Sequence, residues 1–252
     1  MPLALITGAS SGLGRGFALE LAKRGYDIIA TARRSGLLDS LGNEIRAFGV
    51  NYRFVTADLN SPDAAQFLAT AVQETPDIFI NNAGLGFRGG FAQMEPDKIN
   101  SMLMVNLVNA TGLFHTFSRR MLEKKSGYIL NVASVAAYSP LPWFAVYAAT
   151  KSYLRSLSLA AGEEMRSSGV SVSVLCPGPV RTEFFEKTGV TKLHGTKFLW
   201  SREKQVVNCG IDGLLGGKSE IVTGPVYLAQ KLFSAYLPDH LMIKTSGYIF
   251  HP

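Results

Sequence analysis

Leu3-Ala4-Leu5-Ile6-Thr7-Gly8-Ala9-Ser10-Ser11-Gly12-Leu13-Gly14 is the stretch on which the fold turns. Leu3–Thr7 is a short apolar run without polar alternation, the pattern of a strand buried on both faces, as in a parallel sheet. It passes at once into three glycines spaced GxxxGxG, and a helical pattern follows over Leu13–Arg24. Glycine permits a tight turn and close approach of backbone N–H groups, and a helix N-terminus carries partial positive charge. Gly8, Ser10, Ser11, Gly12, Leu13 and Gly14 therefore read as a cradle for a pyrophosphate. Taken alone, such a turn can be merely a tight strand-to-helix connection. Its place on the first strand–helix junction favours binding.

Outward from this turn the same alternation recurs. Strand candidates are Asp27–Thr31, Tyr52–Thr56, Ile78–Asn81, Gly127–Val132 and Val170–Leu175. Helical patterns cover Leu37–Phe48, Ala64–Glu74, Lys98–Lys124 and Ala145–Ser168. Repeated β-α-β order implies right-handed crossovers and an α/β fold, a doubly wound parallel sheet with helices on both faces. No linker-like composition or internal repeat interrupts residues 1–180. One domain over 1–252 is expected, with a cofactor-binding and catalytic core over 1–182 and a substrate loop and C-terminal tail over 183–252. In that second part Ser201 is placed to cap a helix running to about Leu215, and Glu220–Thr223 has the composition of one more strand. The tail from Pro225 is rich in large apolar residues, among them Tyr227, Leu228, Leu232, Phe233, Tyr236, Leu237, Leu241, Met242 and Ile243. It reads as a helix packed on the body or on a second subunit, or else as a lid or an interfacial membrane contact.

Composition narrows the function classes. The chain is 47% hydrophobic and 17% charged, as expected of a soluble globular protein with a sizeable core. Cys176 and Cys209 lie far apart, outside any CxxC spacing, and His115, His194, His240 and His251 are scattered. No disulfide scaffold or metal site is expected, and a reducing cytoplasmic setting fits. The net charge of +6 comes mostly as short pairs such as Arg33–Arg34 and Lys124–Lys125, not as a basic run, so no nucleic-acid partner is expected. Neither a signal peptide nor a bilayer-spanning segment is expected.

The second strand speaks to the ligand on the turn. An acidic residue at its end would bond free ribose hydroxyls, whereas arginine accommodates a 2′-phosphate. Here the strand runs into Thr31-Ala32-Arg33-Arg34. Guanidinium groups form paired, charge-assisted bonds to phosphate. NADP(H) is therefore preferred, with NAD(H) possible; the competing reading leaves both arginines solvated at a loop start.

Tyr147-Ala148-Ala149-Thr150-Lys151 lies inside a helical pattern. Residues four apart share a helix face, so phenol and ammonium can meet in one site. An adjacent ammonium stabilises phenolate and should lower a tyrosine pKa that is ordinarily about 10. Such a tyrosine trades protons with a substrate oxygen. The spacing is weak by itself, since Tyr227 and Lys231 repeat it. Ser134, at the end of the strand Gly127–Val132, distinguishes the first pair, because its hydroxyl can bond the same substrate oxygen. The position equivalent to Ser134 before Tyr227 is Leu214, so Tyr227 and Lys231 are assigned to packing and surface.

In order along residues 3–182, Gly8-xxx-Gly12-x-Gly14, Asp58-Leu59, Asn81-Asn82-Ala83-Gly84, Asn106, Ser134, Tyr147-xxx-Lys151 and Pro177-Gly178-xxx-Thr182 resemble the single-domain short-chain dehydrogenase/reductases. The resemblance implies a Rossmann-like sheet of about seven strands and hydride transfer at a nicotinamide. It implies Tyr147 as general acid/base, Ser134 as the group that orients and polarises the carbonyl, and Lys151 as ribose ligand and modulator of the tyrosine. Asn106 would kink its helix and hold a water that relays protons to Lys151. Asp58 and Leu59 would face adenine, and Asn82 would lie along the adenosine ribose beside Ala83 and Gly84. Thr182 would bond the carboxamide. Many NADP-preferring relatives carry a basic residue where this chain has Ser11, so a 2′-phosphate would depend mainly on Arg33 with Arg34 assisting.

The expected activity is interconversion of a carbonyl and an alcohol. The expected substrate wall is Leu85, Phe87, Tyr138, Leu141, Trp143, Phe184 and Phe185, fitting an apolar small molecule. Cys176 reads as a buried strand-end thiol. A homodimer or homotetramer is expected. Two alternatives are a membrane-surface reductase of lipid carbonyls and a non-catalytic cofactor-binding regulator.

Overall fold

The structure is a computed structural model describing residues 1–184, 188, 200–224, 227–228 and 239–251. The strands are β1 (Leu3–Thr7), β2 (Asp27–Ala32), β3 (Tyr52–Thr56), β4 (Ile78–Asn81), β5 (Gly127–Val132), β6 (Val170–Pro177) and β7 (Glu220–Thr223). They form one seven-stranded sheet in the order β3-β2-β1-β4-β5-β6-β7, and every neighbouring pair is parallel. The helices are α1 (Gly12–Lys23), α2 (Ser35–Arg46), α3 (Ala64–Ala71), α4 (Pro96–Leu103), α5 (Ala110–Lys124), α6 (Ala145–Met165), α7 (Glu203–Leu215) and α8 (Asp239–Phe250).

The missing alternation in the strands has a direct cause. On β1, Ala4 and Ile6 face a core shared with Phe17 and Leu21 of α1, Leu41 of α2 and Ile211 of α7. Leu5, between them, faces a second core with Leu68 of α3 and Phe117 and Met121 of α5. Ile78 and Ile80 against Phe79 repeat this division on β4. Both faces are dry, so both sets of side chains must be apolar.

Strand order reverses between β1 and β4, which opens a crevice beyond their carboxyl ends. Thr7 and Asn82 staple its floor. Thr7 Oγ1 accepts from the backbone N–H groups of Asn82 (2.9 Å) and Ala83 (3.0 Å), and Asn82 Nδ2 donates to Thr7 O (2.9 Å).

The helix expected over Lys98–Lys124 is three consecutive pieces, because a π-helical stretch over Met104–Asn109 joins α4 to α5. Widened turns of this kind occur often at functional sites. This one holds two buried asparagines, Asn106 and Asn109. Asn109 Nδ2 donates to Leu59 O and Ser61 O, so the bulge anchors the loop after β3. α3 ends at Ala71 and does not reach Glu74, because Arg120 donates to the carbonyls of Ala69 (2.7 Å) and Val72 (2.5 Å) and closes its C-terminus. Ser201 does not cap α7. Arg202 holds the N-cap position, and Ser201 forms an isolated parallel bridge with Val180.

Among the described residues, no helix is long and apolar enough to cross a membrane, and no cluster of three His, Cys, Asp or Glu groups could hold a metal.

Candidate active site

A cavity of about 570 Å³ opens at the crevice. All the residues expected to bind a cofactor line it: Gly8, Ser10, Ser11, Gly12, Leu13, Gly14, Arg33, Arg34, Asp58, Leu59, Asn82, Ala83, Gly84, Tyr147, Lys151 and Thr182. They come from six separate stretches of chain. Thr31 lines it too, and its buried Oγ1 has no hydrogen-bond partner among the described residues.

The turn after β1 depends on its glycines. Gly8 and Gly12 have φ of +68° and +50°, where a side chain is strained. At Gly14 the demand is steric, since a Cβ would lie 2.3 Å from Gly8 O and 2.6 Å from Asn82 Nδ2. Gly14→Ala should therefore displace the turn, cost about 1–3 kcal/mol of stability and weaken dinucleotide binding. Urea denaturation and cofactor titration measure the two effects, and a variant unchanged in both would contradict the packing.

The two arginines beside this turn are placed differently from each other. Arg34, expected only to assist, donates to Ser10 Oγ (3.1 Å) and Ser11 Oγ (2.9 Å) and pairs with Glu183 at 2.9 Å. Arg33 is more exposed and meets Asp58 at 3.8 Å. Glu183 lines the cavity and was not anticipated, because no local spacing marks a contact across 149 residues.

Ser134 lies just past β5 and caps the short 3₁₀ turn Val135–Tyr138, where its Oγ accepts from Ala136 N at 3.1 Å. That bond leaves the hydroxyl proton available to Tyr147, and Ser134 itself lies outside the cavity lining. Tyr147 stands in the first turn of α6 and Lys151 one turn later. Lys151 is buried, donates to Val132 O at 2.8 Å and lies 5.8 Å from the Tyr147 ring centroid.

Burial pushes the Tyr147 phenol up to about 12, the Ser134 hydroxyl pulls the other way, and Cys176 adds a smaller upward push. The expected net lowering by the ammonium is thus reversed. Desolvation dominates, and Lys151 spends a donor on a carbonyl. Burial also brings Lys151 down to about 8, partly opposed by Cys176. A protonated phenol beside a cation near its titration point suits proton delivery to an oxygen.

Asn106 lies outside the cavity lining. Its Oδ1 accepts from Leu85 N (2.8 Å), and its Nδ2 donates to Leu85 O (2.8 Å) and Thr150 Oγ1 (3.1 Å). Both amide hydrogens are taken, so the side chain ties Leu85 to α6.

Of the expected apolar wall, Leu85, Phe87 and Phe184 line the cavity. Phe184 lies 5.5 Å from Tyr147, ring to ring. Tyr138 turns away to donate to Glu220 Oε1 at 3.0 Å, Leu141 packs beside Phe144, and Trp143 turns to α8. Phe185 lies outside the described residues, as do Lys231 and the rest of the expected tail over 229–238. Tyr227 is buried against Gly178 and Gly224, a packing role, and Cys176 is buried on β6.

The model of the short chain dehydrogenase family matches residues 2–192. An uncharacterized oxidoreductase of Myxococcus xanthus is 33% identical over 183 residues, 71% of this chain and 72% of its own length. The probable oxidoreductase EphD of Mycobacterium tuberculosis is 32% identical over 74% of this chain, which spans 32% of EphD. Among solved structures, a short-chain dehydrogenase from Sphingobium yanoikuyae in complex with NADPH superimposes with a TM-score of 0.85 at 29% identity, covering 96% of this chain and 95% of that one.

Proposed function

Because the chain belongs to the short-chain dehydrogenase/reductase family of oxidoreductases, we propose that it interconverts a carbonyl and an alcohol with NADP(H), using Tyr147 as general acid/base. One observation carries this: a single cavity is lined by the glycine turn, by Arg33 and Arg34, and by Tyr147 and Lys151. The glycine turn lining the cavity and the unpartnered Thr31 Oγ1 both suit a dinucleotide. The NADPH held by the Sphingobium relative supports the same cofactor here.

When bound, the nicotinamide supplies a hydride to the carbonyl carbon, or accepts one from the carbinol carbon. Tyr147 gives its phenolic proton to the carbonyl oxygen. Ser134 donates a hydrogen bond to that oxygen and so fixes the carbonyl for attack. Lys151, held by Val132 O, keeps positive charge beside the phenol. Leu85, Phe87 and Phe184 exclude water and favour an apolar substituent on the carbonyl. We assign residues 1–182 to cofactor binding and catalysis. The same proposal includes a cytoplasmic homodimer or homotetramer. Exposed Leu103, Val108 and Tyr153 along α4–α6 support a subunit contact.

A panel of aldehydes, ketones and alcohols, followed by absorbance of the reduced cofactor, tests the reaction class. Turnover of none, with NADPH bound, would overturn it. Arg33→Ala and Arg34→Ala should each raise the NADPH Kd about ten- to a hundredfold while changing the NADH Kd little, since each charge-assisted bond is worth about 1.5–3 kcal/mol. Equal weakening of both cofactors would refute the phosphate assignment.

A further inference from the structure

We propose that Trp143 is a specificity-determining latch that joins the loop bearing Leu85 and Phe87 to the C-terminal helix α8 and thereby limits the size of group accepted beside Tyr147. The inference rests on the carbonyl-reductase activity proposed above. Trp143 has φ of +68°, the left-handed region. For a bulky residue this is a true outlier that persists only where surrounding contacts hold it, and such outliers gather at functional sites.

Those contacts run in two directions. On one side, Trp143 O accepts from Gly89 N at 2.9 Å, and its ring lies against Gly90. The same loop presents Leu85 and Phe87 to the cavity, while Gly86 sits so close to Phe184 and Tyr147 that a Cβ there would be 2.6 Å and 3.3 Å from them. On the other side, the indole Nε1–H donates to Gly247 O on α8 at 3.2 Å, and the ring meets His251 edge-on at 4.8 Å.

The next residue, Phe144, carries the contact inward. It is buried, with its ring 5.6 Å from Phe250 of α8 and 6.0 Å from Tyr147. An ordinary right-handed backbone at 143 would redirect either the carbonyl that pins the loop or the indole that pins the helix. The left-handed turn allows one residue to hold both, which ties the position of α8 to the shape of the substrate wall.

The test uses Trp143→Gly and Trp143→Phe in the full chain. Glycine eases the backbone and removes the indole; phenylalanine keeps a ring and loses only the N–H donor. In Trp143→Gly the ratio of kcat/KM for a bulky aryl ketone over a small aliphatic ketone should rise about tenfold, the scale on which apolar pockets discriminate. Trp143→Phe should show a smaller rise, and the NADPH Kd should stay within about twofold in both, since Trp143 is outside the cavity lining. Hydrogen exchange over 239–251 should quicken in Trp143→Gly, a readout that needs no turnover. Unchanged exchange and an unchanged ratio in a folded, active Trp143→Gly would overturn the latch. Wild-type protein that turns over no aldehyde, ketone or alcohol, with faster exchange in the variant, would instead overturn the assigned reaction and leave the structural tie standing.

Discussion

Replacing Tyr147 by phenylalanine should lower kcat for carbonyl reduction by about 10²–10⁴-fold and leave NADPH binding within about twofold, because only the transferable proton is lost. The ring itself contributes packing, lying against Phe184 and Phe144, and phenylalanine preserves that. Burial holds the phenol protonated to about 12, so it is ready to donate throughout the neutral range. Single-turnover absorbance of the reduced cofactor, beside a fluorescence titration for affinity, separates chemistry from binding. A Tyr147→Phe enzyme with wild-type kcat would remove the tyrosine from the mechanism. Equal loss of binding and turnover would make it a structural residue.

Lys151→Met should produce the second large effect, a loss of about 10²-fold or more in kcat/KM together with weaker cofactor binding. Its ammonium is buried, donates to Val132 O and lies beside the phenol, so its loss takes that charge from the phenol's surroundings. Its pKa of about 8 sets a pH window for the wild type. Reductive kcat/KM should be level below about pH 7.5 and fall above 8 as the ammonium discharges. Tyr147 stays protonated there and cannot cause the fall. The residual activity of Lys151→Met should lack that limb.

Stability should move the opposite way. The folded-state pKa of Lys151 lies below the ordinary value of 10.5, so folding penalises its charged form. That penalty is fully present below about pH 8 and disappears as pH rises to about 10.5. Any gain in Tm for Lys151→Met should therefore be largest at neutral pH and shrink across that interval. A gain that grows with pH would show that the buried ammonium is not the cause. Catalytic groups held at such a cost are a common source of trade-off between activity and stability.

Much of this protein was legible residue by residue. The glycine turn showed itself through local constraints, because positive φ at Gly8 and Gly12 and the closeness of Gly14 to Gly8 O admit little but glycine. Tyr147 and Lys151 were legible because helical period alone puts them on one face. Asn106 was visible as a residue, but its hydrogen-bond partners were not. Its partners, Leu85 and Thr150, lie 21 and 44 residues away, and a π-turn was needed to bring it to them. The paired roles of Arg33 and Arg34 were legible as charge, while the division between them was not. Which guanidinium reaches Ser10 and Ser11 depends on the exit angle after β2 and on Glu183.

The stretch Leu3–Gly14, read with its repeats along the chain, was enough to establish a parallel, doubly wound sheet with a glycine turn at its first junction. Apolar runs without alternation and glycines at fixed spacing are local properties, and they survive without knowledge of neighbours. Three things waited for the tertiary structure. They were the order β3-β2-β1-β4-β5-β6-β7 that opens the crevice, the dry surroundings that raise Tyr147 and lower Lys151, and the left-handed Trp143 joining a loop to the last helix. Each depends on which distant groups are brought together and on how much water they exclude. Strand order, desolvation and the contacts that hold a strained backbone are sums over the whole packed chain, and no single segment carries them.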